Sequence, residues 1–89
     1  MMQTRVAVIA IVVENPDSVA DVNRLLHDAA DYILGRMGLP YREKGVSLIS
    51  VAIDAPQDVI SALSGRIGAL PGVQTKTAYS NIITDTIVT

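Results

Sequence analysis

Displaced by forty positions, the chain lines up with itself: Ile9 falls on Ile49, Ile11 on Val51, Val13 on Ile53, Glu14 on Asp54, Pro16 on Pro56 and Val19 on Val59. Each half opens with a β-branched run, passes an acidic residue and a proline, and then changes from alternating to helical apolar spacing. That pattern is a strand, a helix and a second strand, used twice. Two right-handed βαβ units joined by a hairpin put both helices on one face of a four-stranded antiparallel sheet. The expected fold class is α+β, a ferredoxin-like βαββαβ sandwich.

Residues Arg5 to Glu14 read as the first strand. Asn15 is placed to cap the following helix, Pro16 suits its first position, and Asp17 and Asp21 favour the positive end of the helix dipole. Val19, Val22, Leu26, Ala29 and Ala30 share one helical face. Tyr32 to Leu39 returns as a strand, in which Gly35 and Gly38 point to a bulge or a close backbone approach. In the second half Val46 to Ile53 is the strand, Asp54 with Gln57 fits a capping box, and Ile60, Leu63, Ile67 and Leu70 form the buried stripe of the helix. Leu70-Pro71-Gly72-Val73 reads as a turn before a last strand, Val73 to Tyr79. Residues 1 to 80 make one domain. Residues 81 to 89 form a tail that either adds an extra strand, to this sheet or to a neighbouring copy's, or folds back over the sheet through Ile82, Ile83, Ile87 and Val88.

The 89 residues, 49% of them hydrophobic, suffice for one core but not for a catalytic and a regulatory domain together. With no Phe and no Trp, branched aliphatic side chains must fill that core. Seven Lys and Arg against nine acidic residues do not supply the clustered positive surface that phosphates demand, so no direct nucleic-acid contact is expected. The run Val6 to Val13 is far shorter than the roughly 20 residues of a membrane helix. No secretory leader pattern is present, and the expected location is the cytoplasm. Without cysteine there is no disulfide, thiolate nucleophile, iron–sulfur ligand set or Cys-based zinc site.

A sheet with helices on one face is commonly polar on the other. Here Val6, Val8, Ala10, Val12, Val46, Leu48, Ser50 and Ala52 alternate with the residues that face the helices, and they leave a second apolar surface. Homo-oligomerisation, as a dimer or tetramer, through Val8, Ala10, Val12, Leu48, Ser50 and Ala52 explains it economically. Cover by the chain's own tail is the alternative.

Three polar constellations stand out. His27 and Asp31 lie one helical turn apart beside Asp28, which would aim two ligands at one metal, but a histidine in a last helical turn is ordinarily a partner of the helix dipole. No metal and no cofactor are expected. The segment Gly35 to Gly45 offers Arg36, Arg42 and Lys44 as anion donors and Tyr41 as a stacking face, or is a solvated hairpin. At the turn Glu14 to Ser18, Asn15 and Ser18 read as caps, since Asp17 would repel an anion. No triad, phosphate loop or dinucleotide fingerprint is present, so the chain does not read as an enzyme.

From Leu26-His27-Asp28 through Ile33-Leu34-Gly35-Arg36-Met37-Gly38-Leu39-Pro40-Tyr41-Arg42-Glu43-Lys44-Gly45, the Asp54-Ala55-Pro56-Gln57-Asp58 turn and Leu63-Ser64-Gly65-Arg66 to Val73, the chain resembles the regulators associated with iron-only hydrogenase systems. The resemblance implies an ACT-like fold, similar to the C-terminal domain of the nickel-responsive repressor. It implies paired subunits with a small-molecule effector in an intersubunit groove, here near Asn15, Arg36, Tyr41 and Arg42, and a hydrogenase-maturation protein as a partner. Asp17 stands where amino-acid-binding members often have glycine, which speaks against an amino-acid ligand. The nickel-responsive proteins use several histidines and a cysteine, whereas this chain has one histidine and no cysteine, so a nickel site of that kind is not expected.

Overall fold

The computed structural model describes residues Met2 to Thr86, with side-chain surroundings from Gln3 to Ile82. The strands are β1 (Met2–Val13), β2 (Ile33–Tyr41), β3 (Val46–Ala55) and β4 (Val73–Thr86), and the helices are α1 (Val19–Asp28) and α2 (Gln57–Gly68). They form one antiparallel sheet in the order β2-β3-β1-β4, which is the ferredoxin-like arrangement expected from the repeat.

Alternation along β1 decides which face is core. Ala7, Ile9, Ile11 and Val13 are buried while Val6, Val8 and Ala10 are exposed, because successive side chains in a strand point to opposite faces. In β3, Ile49, Val51, Ile53 and Ala55 do the same. Against them α1 sets Val22 and Leu26, and α2 sets Ile60, Leu63 and Ile67. All of these are aliphatic.

The pairing register makes the duplication physical. Ile9 pairs with Val51 and Ile11 with Ile49, centred on Ala10 opposite Ser50. Ala10 and Ser50 are also forty positions apart, so an internal two-fold axis passes between them and relates the two halves.

Local details differ from the expectations in four places. The capping box does not form, since β3 runs on to Ala55, Pro56 occupies the cap position without a side-chain bond, and Gln57 instead accepts a bond from Arg5 Nη1 at 3.0 Å. Asn15 does cap, its Oδ1 accepting from the Asp17 N–H at 3.0 Å, but Ser18 donates to the Pro71 carbonyl at 2.7 Å and so ties two turns together. Ala30 is exposed, because α1 ends at Asp28 and a 3₁₀ turn, Ala30–Tyr32, leads into β2. Finally, β4 does not stop at Tyr79. After an irregularity opposite Val6 it continues beside β1, with Arg5 opposite Ile83 and Met2 opposite Thr86. Residues 81 to 86 thus extend the chain's own sheet and do not fold over it, while Ile87 and Val88 lie outside the described residues.

Candidate functional site

The bulge expected near the glycines of β2 lies at Leu34, between Ile33 opposite Ile53 and Gly35 opposite Ala52. Two residues of β2 there stand against one of β3, and every side chain after the bulge changes face. Met37 and Leu39, opposite Ser50 and Leu48, therefore lie on the outer face of the sheet, 70% and 61% exposed. Arg36, Gly38 and Pro40 lie on the helix side. None of these three is a bulky apolar residue, so the space between β2 and α1 stays open.

Three neighbouring hollows run along that space and share lining residues. The first, of about 170 Å³, is lined by Val13, Pro16, Val19, Pro40, Tyr41 and Arg42 among others, and is mostly apolar. A second, about 250 Å³, shares Val19, Pro40 and Ser47 with it and reaches Asn23 and Arg36. Beyond these the third, about 470 Å³, adds Leu26, His27 and Ile33.

Of the four candidate ligand residues, Arg36, Tyr41 and Arg42 are spread along this groove without converging on one point, and Asn15 lines none of the three hollows. Arg36 Nη2 donates to Asn23 Oδ1 at 2.6 Å and bridges the groove. Tyr41 OH donates to Glu43 Oε2 at 3.2 Å. Asn15 is engaged in its cap. Arg42, exposed at the rim of the first hollow, makes no ion pair among the described residues. Asn23 was not foreseen, since its role depends on the bulge that turns Arg36 toward α1. Among the described residues no three His, Asp or Glu side chains come together as a metal set, and no helix is long and apolar enough to cross a membrane.

The outer face carries the second feature. Val8 and Leu48 are 43% and 42% exposed, Ala10 is exposed, and Val12, Ser50 and Ala52 are half-buried. Of these, Ala10, Val12, Leu48 and Ser50 border, with Met37 and Leu39, a shallow apolar hollow of about 270 Å³.

A sheet backed by two helices on one side and bare on the other defines a small α+β module with a ferredoxin-like arrangement. The chain belongs to the TM1266-like family, described as "Iron-only hydrogenase system regulator, putative", whose model matches residues 5–77. It is similar to the uncharacterized protein TM1266 from Thermotoga maritima, with 36% identity and a TM-score of 0.82 over 85% of this chain and 96% of that one. Likeness of fold alone extends to a formyltetrahydrofolate deformylase from Pseudomonas putida KT2440 (18% identity, TM-score 0.63, 86% of this chain and 29% of that one). It extends also to an unknown protein from Galdieria sulphuraria (17%, TM-score 0.60, 91% and 48%). No curated protein matches the sequence.

Proposed function

We propose that this chain is a regulatory subunit of an iron-only hydrogenase system that works by self-assembly through the outer face of its sheet. The observation that carries the reading is that face: Val6, Val8, Leu48, Met37 and Leu39 stand exposed side by side although the core lies wholly on the other side. Contiguous apolar surface of this kind on a small domain marks an interface. The regulated partner is a hydrogenase-maturation protein, contacted by protein surface and not through DNA. A small anionic effector with a short apolar body fits the first hollow, with Arg42 at its rim and Val13, Val19 and Pro40 as its walls.

Light scattering on the purified chain tests the assembly. It should give the mass of a dimer or tetramer, and Val8→Asp should reduce it to a monomer with an unchanged far-UV spectrum. A wild-type monomer at about 100 µM sinks the reading.

A second reading, an assembly subunit without effector, is favoured by one observation: Asn15, Arg36 and Tyr41 are each already bonded within the chain. Native mass spectrometry of the protein as purified separates the two. A retained small molecule that Arg42→Gln releases supports the effector, and a bare protein mass supports the alternative.

A further inference from the structure

Along the stretch of β1 from Val6 to Val12, the sheet presents two charged residues on its outer face. Asp54 stands opposite Val6 on β3, and Lys76 stands opposite Ala10 on β4. Each is odd in that place. Asp54 has one carboxylate oxygen sealed from solvent with no hydrogen-bond partner, which leaves only its other oxygen open to a second chain. Lys76 forms no ion pair among the described residues. They are too far apart to meet each other: four residues along the strands and two strand spacings across amount to about 13 Å by about 10 Å.

That separation has a midpoint, and it falls on β1 at Val8. A two-fold axis lying in the plane of the face, through Val8 and at right angles to the Asp54–Lys76 line, exchanges the two positions. We propose that a second copy of this chain docks on the outer face about this axis, so that Asp54 of each copy meets Lys76 of the other. The proposal rests on the reading of that face as the self-assembly surface and adds its register.

The geometry has consequences beyond the ion pairs. The line from Asp54 to Lys76 lies about 36° from the strands, so the strands of the two copies cross at about 70°, nearer the orthogonal class of sheet packing than the aligned one. Val8 sits on the axis against its own mate, and Met37 falls close to the axis as well. The central residues around Val8, namely Ala10, Ser50, Ala52 and Ala78, are small and let the two sheets approach. Leu39 and Leu48 fall past the partner's β2 edge, so this pair covers Val6, Val8 and Met37 and leaves those two leucines open at its rim. Aligning the copies instead so that Leu48 covers the partner's Val6 would set Lys76 against Lys76 and bury Asp54 over Leu39. Like charges brought together in this way reject a register.

The chain has no cysteine, which makes engineered cross-links clean reporters. Under mild oxidation Val8→Cys should form a covalent dimer at least tenfold faster than Leu48→Cys, whose two copies lie about 16 Å apart by the same spacings. Asp54→Lys and Lys76→Asp should each weaken association at least tenfold, and the double variant should recover most of the loss. Equal cross-linking of the two cysteine variants, or a double variant no better than the singles, overturns the proposed register. If wild type is still an oligomer that Val8→Asp breaks, the face remains the interface and only the register is wrong. If Val8→Asp leaves the oligomer intact, both fall.

Discussion

Gly72 couples the fold to the turn beside the first hollow, and replacing it with alanine has an effect that the structure allows to be worked out. Its φ is 68°, in the left-handed region, and its carbonyl accepts the Glu14 N–H at 2.7 Å. An added Cβ would stand 2.7 Å from Asn15 Cβ and 2.9 Å from the Asn15 backbone nitrogen. Neither neighbour is a flexible side-chain end, so backbone must move. Gly45 supplies the control. Its φ is 65°, in the same region, yet a Cβ there meets nothing within 4 Å.

Gly45→Ala therefore bears only the left-handed strain of an L-residue, about 1–2 kcal/mol, partly offset by about 0.4–1 kcal/mol from a stiffer unfolded chain. Gly72→Ala bears both of these and a packing clash on the order of 1–3 kcal/mol. Strain and unfolded-state entropy cancel in the comparison, and the clash remains. With a urea dependence of about 1–3 kcal/mol per molar for small domains, the two midpoints should differ by roughly 1 M, Gly72→Ala being the lower. Urea titrations followed by far-UV circular dichroism, at one protein concentration because association adds to stability, measure this directly. Coincident midpoints would refute the claim that Gly72 is required by its contact with Asn15 and not merely by its φ.

Ser18→Ala removes the 2.7 Å bond to the Pro71 carbonyl at a buried position and should cost about 1–3 kcal/mol, read by the same titration, because the carbonyl loses its donor. Met37→Ser with Leu39→Ser strips the apolar side chains that β2 places on the outer face. Light scattering should then show a smaller oligomer, and an unchanged mass with a folded spectrum would mean that the outer face does not need β2.

The central strands and both helices were legible because their apolar residues serve one core, and the period of that pattern is the period of the element. What the sequence obscured was parity at the edges. Gly35 and Gly38 announced an irregularity without telling which residue is extra, and one extra residue exchanges the faces of all that follow. Hence Arg36 was grouped with Tyr41 and Arg42 as a single polar segment, whereas it is turned to Asn23 on α1. Asp54 and Gln57 have capping-box spacing, yet the strand outran the motif: Asp54 stays in the ladder opposite Val6, and spacing cannot report where a ladder ends. The last strand reads as ending at Tyr79 with a separate tail, whereas the pairing with β1 resumes at Ile83 after an irregularity that the spacing does not show.

The two halves are related by the axis at Ala10 and Ser50, so the place where they cease to be alike is informative. By the forty-residue displacement, Gly35, Met37 and Leu39 correspond to Thr75, Thr77 and Tyr79. The latter three lie beneath α2, with Thr75 and Thr77 bonded to Ser64 and Tyr79 near Ser61, and that edge is closed. Had β2 kept the same register, Met37 and Leu39 would lie beneath α1 and close the other edge in the same way. The bulge at Leu34 prevents this, and a single slip of register thereby makes two surfaces at once. It exports Met37 and Leu39 to the outer face, enlarging the apolar patch there, and it leaves only Arg36, Gly38 and Pro40 to face α1, which opens the groove. Any change in what occupies the groove bears on β2, and β2 supplies side chains to the outer face, so the effector site and the assembly surface of the proposed function share one strand.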